Sequence, residues 1–127
     1  MPRLPAHYVV AANLFSALAH PARLQILDAL RGGEVCVCHI EAVLDQRQAY
    51  VSQHLMALRR LGLLQSRKDG LRVYYRMADQ RVWRVLNQVR ALTLARPGKV
   101  SEALRPRRPC RCPQCAPGVI GHAREAR

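Results

Sequence analysis

Aromatic residues are scarce in this chain of 127: one Trp, one Phe and four Tyr. With half of its residues hydrophobic, it must build its core mainly from Leu, Val and Ala. Acid is scarce too, with 8 Asp plus Glu against 21 Lys plus Arg, a formal net charge of +13. That balance points to a polyanion, either nucleic acid or an acidic membrane surface. Lysine supplies two of the 21 cations, and the arginine excess suits bidentate phosphate and guanine contacts. No apolar run approaches the roughly 18 residues of a membrane span, so no membrane partner is expected. VVAANLFSALA at 9–19 has the length of a signal h-region, but it runs on through His20-Pro21 into another amphipathic segment, the mark of a folded domain. A cytoplasmic location is expected. There, five cysteines mean reduced thiols, metal ligands or redox switches rather than structural disulfides. Nothing pairs a nucleophile with a base, so no enzyme is expected.

What is present is helical periodicity. Val9, Val10, Leu14, Phe15 and Leu18 recur at helical spacing over 8–19. Pro21 stands as the first residue of a second helix, PARLQILDALR, which Gly32-Gly33 ends. Leu24, Ile26, Leu27 and Leu30 form its buried side. A short helix covers roughly 36–44, and DQRQAYVSQHLMALRRLG follows. In it Val51, Leu55, Leu58 and Leu61 form one inward stripe, while Gln48, Gln53 and His54, with Tyr50 and Ser52, form a face nearly free of acid. Two short helices with such a second face are the pattern of a helix-turn-helix.

After Gly62 the period changes. LLQSRK, Asp69-Gly70 and LRVYYRM predict a β-hairpin with a type I′ turn, and Arg67, Lys68 and Arg72 make it a basic wing able to lie along phosphates. Asp79 is placed to cap a last helix over 80–95. Its stripe of Val82, Val85, Leu86, Val89 and Leu92 suits subunit pairing. The fold expected is mainly α with a β-hairpin wing: a dimeric winged helix-turn-helix over 1–95. Residues 96–127 carry eight basic residues, two acidic ones, five prolines and the cluster CRCPQC, the composition of a flexible tail.

These residues resemble the ArsR/SmtB family of winged-helix repressors. LFSALAHPARLQIL, EVCVCHI, VSQHLMALRRLGLL and DGLRVYYRM carry the resemblance, between about Leu14 and Met77. It implies a homodimer paired through its first and last helices, bound to double-stranded operator DNA and released when a metal or metalloid binds. The family's zinc-type site on the last helix needs an Asp and a His near its start, then a His and a Glu. Here Asp79 is present, but 80–95 holds no His, Asp or Glu, so that site is missing. The CVC motif at 36–38 is similar to the thiolate site of arsenite sensors and of some cadmium/lead sensors. Those proteins add thiols just after the motif or from an N-terminal arm, whereas His39, Ile40 and Glu41 follow it here and no cysteine precedes it.

Cysteine alone packs as a small hydrophobe, so Cys36 and Cys38 need a reason to be more than core. Two thiolates fall short of the three or four that a soft ion takes. The tail offers Cys110, Cys112 and Cys115, with His122 as a further donor, and a reach on the order of 50 Å from the last helix. That reaches residue 36 of either subunit. Residues i and i+2 of a helix project about 200° apart, so one ion on both Cys36 and Cys38 requires an irregular helix start. As(III) is the inducer expected first, then Cd(II) or Pb(II), then Zn(II). A redox or persulfide switch at the same thiols, or a structural nucleic-acid protein with zinc in its tail, are the other readings.

Overall fold

The computed structural model describes residues 3–93, 104–110, 112, 113 and 115. Its elements run α1 (Ala6–Leu18), α2 (Pro21–Ala29), β1 (Val35–Cys36), α3 (Val37–Leu44), α4 (Gln48–Arg60), β2 (Leu64–Asp69), β3 (Arg72–Met77) and α5 (Arg81–Leu92). Pro21 opens α2 as expected, and the His20 side chain caps it, Nδ1 accepting from the Ala22 amide at 3.1 Å. Between α3 and α4 the chain turns through Asp45, whose φ of 52° is left-handed, a conformation that Asp tolerates better than most residues. Ile26, Leu27 and Leu30 of α2 meet Ile40 and Val43 of α3 and Val51, Leu55 and Leu58 of α4 in one core. Burying each such side chain contributes about 1.5–3 kcal/mol. Leu61, the last residue of the predicted stripe, lies exposed just past the end of α4.

Two local features differ from the periodicity. The first is β1, hidden inside EVCVCHI, which pairs antiparallel with β3 in a sheet of order β1-β3-β2. The second is the hairpin turn. Asp69 pairs with Arg72, so the two-residue loop is Gly70-Leu71 rather than Asp69-Gly70. Gly70 has φ 60°, and Leu71 is not among the residues of positive φ. That fits a type II′ turn with glycine first, not type I′.

Helix α5 sits on α2 through polar contacts. The Trp83 indole donates to the Leu27 carbonyl at 2.8 Å, and the buried Asp28 carboxylate pairs with Arg31 at 2.9 Å and with Arg90. The expected cap Asp79 lies one residue ahead of the helix boundary, and its Oδ1 accepts from the Arg81 amide at 2.9 Å. The apolar stripe of α5 divides: Val82 and Leu86 are buried in this protomer, while Val85, Val89 and Leu92 are 39%, 44% and 79% exposed. On α1, Tyr8, Val9, Val10 and Phe15 are exposed as well. No described helix is long and apolar enough to cross a membrane.

Where a flexible tail was expected, the described part of it is docked. Leu104 packs against the core, the Arg107 amide donates to the Ala42 carbonyl at 2.8 Å, and Arg108 Nη2 donates to the Gln46 carbonyl at 2.8 Å. The anchors are polar backbone contacts, which composition does not foretell. His122 lies outside the described residues.

Candidate metal centre and nucleic-acid interface

Side chains alternate across a strand, and β3 uses this to separate two environments. Tyr75 packs into the main core; its neighbour Tyr74 faces the other way. Pairing of Val35 with Tyr75 and of Cys36 with Tyr74 splits β1 likewise, with Val35 in the core and Cys36 beside Tyr74. Against that outer face the tail sets Cys112, 0% exposed, with Cys110 and Cys115 packed around it. Cys38 joins from the first turn of α3.

The β1–α3 boundary runs between the two CVC cysteines. Cys36 is extended, with φ −70° and ψ 145°, and precedes the helix. The divergence of i and i+2 on a regular helix is therefore avoided. The sulfurs of Cys36, Cys38 and Cys112 lie within 4.8 Å of one another, and so do those of Cys110, Cys112 and Cys115. Cys38 Sγ is 2.7 Å from Cys36 Sγ, and His39 Nδ1 is 3.2 Å from Cys115 Sγ. Sulfurs around one zinc-sized ion stand about 3.8–4.0 Å apart, given metal–sulfur bonds of about 2.3 Å. Both trios thus fit a soft ion after small adjustments, chiefly a widening of the Cys36–Cys38 contact.

Burial, reinforced by thiol–thiol contacts, pushes the Cys38 and Cys115 thiols well above the usual range. Both are protonated near neutral pH. Arg72 Nη1 donates to Cys38 Sγ at 3.7 Å, which brings a cation to the edge of the cluster.

The recognition face of α4 is less uniform than its sequence. Gln48 and Gln53 are exposed, and Tyr50 and Ser52 are half-buried. His54 is only 5% exposed rather than facing outward. Its Nδ1 accepts from Arg23 Nε at 3.0 Å, and its ring lies 4.3 Å from His20 and 4.6 Å from Tyr50. Burial, with His20 and Arg23 nearby, lowers its pKa. On the wing, Lys68 is exposed. Arg67 pairs with Glu34 at 2.5 Å, and its guanidinium stacks 4.7 Å from the Tyr74 ring. Arg72 points toward the thiols rather than to the tip of the wing. Sequence periodicity missed Tyr74 and Glu34 as parts of this region. The signal was the doublet Tyr74-Tyr75, one ring for each face of a strand.

Residues 20–66 match the family described as bacterial regulatory protein, arsR family. The biofilm growth-associated repressor of Agrobacterium fabrum is 35% identical over 95 residues, 75% of this chain and 81% of that protein. The chain belongs to the ArsR family. It is a DNA-binding transcriptional repressor with a winged helix-turn-helix fold, not an enzyme. The arsenical resistance operon repressor of Escherichia coli is 43% identical over 72 residues, which span 56% of this chain and 62% of that repressor. The NMR structure of the homodimeric winged helix-turn-helix domain of Mb0332 from Mycobacterium bovis superposes with a TM-score of 0.63. Its sequence identity is 32%, over 77% of this chain and 94% of that domain.

Proposed function

We propose that this ArsR-family protein is a homodimeric repressor whose operator affinity falls when a thiophilic ion binds its cysteine cluster, with As(III) as the first inducer. The observation that carries this reading is the meeting of Cys36 and Cys38 with Cys112 of the same chain. The motif alone has two thiols, and the docked tail completes three. Arsenous acid exchanges three hydroxyls for three thiols and leaves three waters, with no net proton released and no charge left behind. Cd(II), Pb(II) and Zn(II) are the alternatives, since each accepts three or four thiolates but must first displace their protons.

Ligation would act where the fold is hinged. Spreading the Cys36 and Cys38 sulfurs shifts β1 against the first turn of α3. Helix α3 supports α4, and β1 is bonded to the wing strand β3. Both DNA-contacting elements are thereby biased, through a coupling typically of about 1–3 kcal/mol. Gln48, Gln53, Tyr50 and Ser52 are the residues proposed to meet bases and phosphates, with Lys68 on the adjoining backbone. The exposed apolar residues of α1 and α5 are proposed to form the dimer seam.

Titration of arsenite, Cd(II), Pb(II) and Zn(II) into the protein bound to its own promoter, followed by anisotropy, tests the reading. Release by arsenite in the wild type and its loss in Cys36→Ser and Cys112→Ser are expected. An unchanged arsenite response in both variants would overturn it. The 2.7 Å separation of the Cys36 and Cys38 sulfurs favours one second reading, an oxidative switch. In that case release occurs with peroxide in the presence of a chelator, the two thiols losing two electrons and two protons as peroxide becomes water. The raised pKa of Cys38 weighs against it, because the thiolate is the reactive form.

A further inference from the structure

The two sulfur trios are not separate. Cys112 belongs to both, and it is the most buried of the five thiols. Its partners Cys36 and Cys38 come from the domain and Cys110 and Cys115 from the tail, with Cys110 also close to Cys38. On the tail side His39 Nδ1 lies 3.2 Å from Cys115 Sγ, and a small movement toward that trio would make it a further donor. We infer that Cys112 is a bridging ligand between two adjacent positions for soft divalent ions, one completed by Cys36 and Cys38 and the other by Cys110, Cys115 and His39. This rests on the reading of the cluster as a thiophilic-ion site.

The chemistry separates ion classes. A thiolate sulfur retains lone pairs after binding one divalent ion and can bind a second. Two dications with five thiolates displace five protons to solvent and leave one negative charge. The Arg72 guanidinium, bonded to Cys38 Sγ at 3.7 Å, stands where it offsets that charge. As(III) behaves otherwise. Each arsenic ligated entirely by sulfur takes three thiols of its own, and five thiols cannot furnish six. The cluster therefore holds two cadmium ions but one arsenic.

The division also assigns the two ions different effects. The ion on Cys36, Cys38 and Cys112 strains the β1–α3 junction. The ion on Cys110, Cys112, Cys115 and His39 fastens the tail to α3, from which His39 projects.

The test is titration of Cd(II) into the reduced, full-length protein, following ultraviolet thiolate charge transfer and cadmium NMR. Two ions per chain are expected, giving two resonances joined by scalar coupling through the shared sulfur. Cys112→Ser should abolish the coupling and reduce binding to one ion or fewer. The double replacement Cys110→Ser/Cys115→Ser keeps the domain trio and should bind one ion, which provides a check if Cys112→Ser does not fold. Arsenite should saturate at one per chain. Saturation of the wild type at one cadmium, with operator release intact, would overturn the bridge and leave the repressor reading standing. Two uncoupled ions persisting in Cys112→Ser would overturn it equally. Absence of any cadmium or arsenite binding would overturn both.

Discussion

Arg72 of the wing donates from Nη1 to the Sγ of Cys38 across 3.7 Å, so a residue placed by sequence among the phosphate contacts is joined to the thiol cluster instead. On the proposed reading its charge serves ion binding more than DNA binding. Arg72→Gln should leave the salt dependence of operator binding nearly unchanged, while Cd(II) binding weakens and arsenite binding, which leaves no charge to offset, changes little. Lys68→Ala is the contrast. It removes an exposed cation of the wing and should reduce the slope of log affinity against log salt by about one. Operator titrations at several salt concentrations measure both. A slope change for Arg72→Gln equal to that for Lys68→Ala would return Arg72 to the phosphates.

The thiols predict a pH signature for the inducer. Burial holds Cys38 and Cys115 protonated well above the usual thiol pKa, which is about 8.5. Cd(II) must displace those protons, so its affinity should fall about tenfold for each proton released with every unit by which the pH is lowered. Arsenite affinity should stay nearly flat between mildly acidic and neutral pH. The same shift bears on ion-free stability. The fold binds the thiol protons more tightly than the unfolded chain does, so this contribution is complete below about 8.5 and is lost as pH rises beyond it. Competitive titrations and denaturant melts across pH measure the two effects. Equal pH slopes for arsenite and Cd(II) would contradict the ligand chemistry.

Much of the fold was legible because apolar spacing determines which side of a helix is buried. Pro21 and the stripe of Val51, Leu55 and Leu58 foretold the start of α2 and the inward side of α4, whereas α2 ends at Ala29, ahead of Gly32-Gly33. Less was legible where the deciding interaction is long-range. β1 is two residues long and exists through pairing with β3, so no local period announces it. The docking of the tail depends on backbone acceptors at Ala42 and Gln46. The need for tail thiols followed from counting ligands, but their meeting Cys36 and Cys38 of the same chain required the folded geometry. His54 is buried rather than on the open face of α4, because Arg23 of α2 reaches across to its ring.

His54 should accordingly behave as a structural residue. His54→Ala removes the acceptor of Arg23 Nε and three-ring packing with His20 and Tyr50, and should destabilise the fold by about 1–3 kcal/mol. Operator sequence preference should be unaltered at a temperature where the variant stays folded. Its lowered pKa carries a sign as well. The fold prefers neutral imidazole, so its contribution is complete above the unfolded value of about 6.5 and is lost as pH falls below it. His54→Gln should flatten that acid limb in denaturant melts. A changed base preference with unaltered stability would place His54 on the DNA after all.

The divided stripe of α5 gives substitutions on its two sides different outcomes. Val82 and Leu86 are already used inside the protomer, and Val89, 44% exposed, sits between Val85 and Leu92 on the open side. Exposed apolar residues of α1 give the same chain a second such surface, and neither is covered by any described segment. A seam formed from both would bury Val89, and a charge there would be left without a partner, at a cost of several kcal/mol per ion. Val89→Glu should therefore yield a folded monomer with operator affinity reduced by orders of magnitude, since a two-fold operator is read by paired recognition helices. Val82→Glu should instead unfold the protomer. Sedimentation equilibrium with circular dichroism separates the outcomes, and a Val89→Glu protein that remained dimeric with full operator affinity would exclude α5 from the seam.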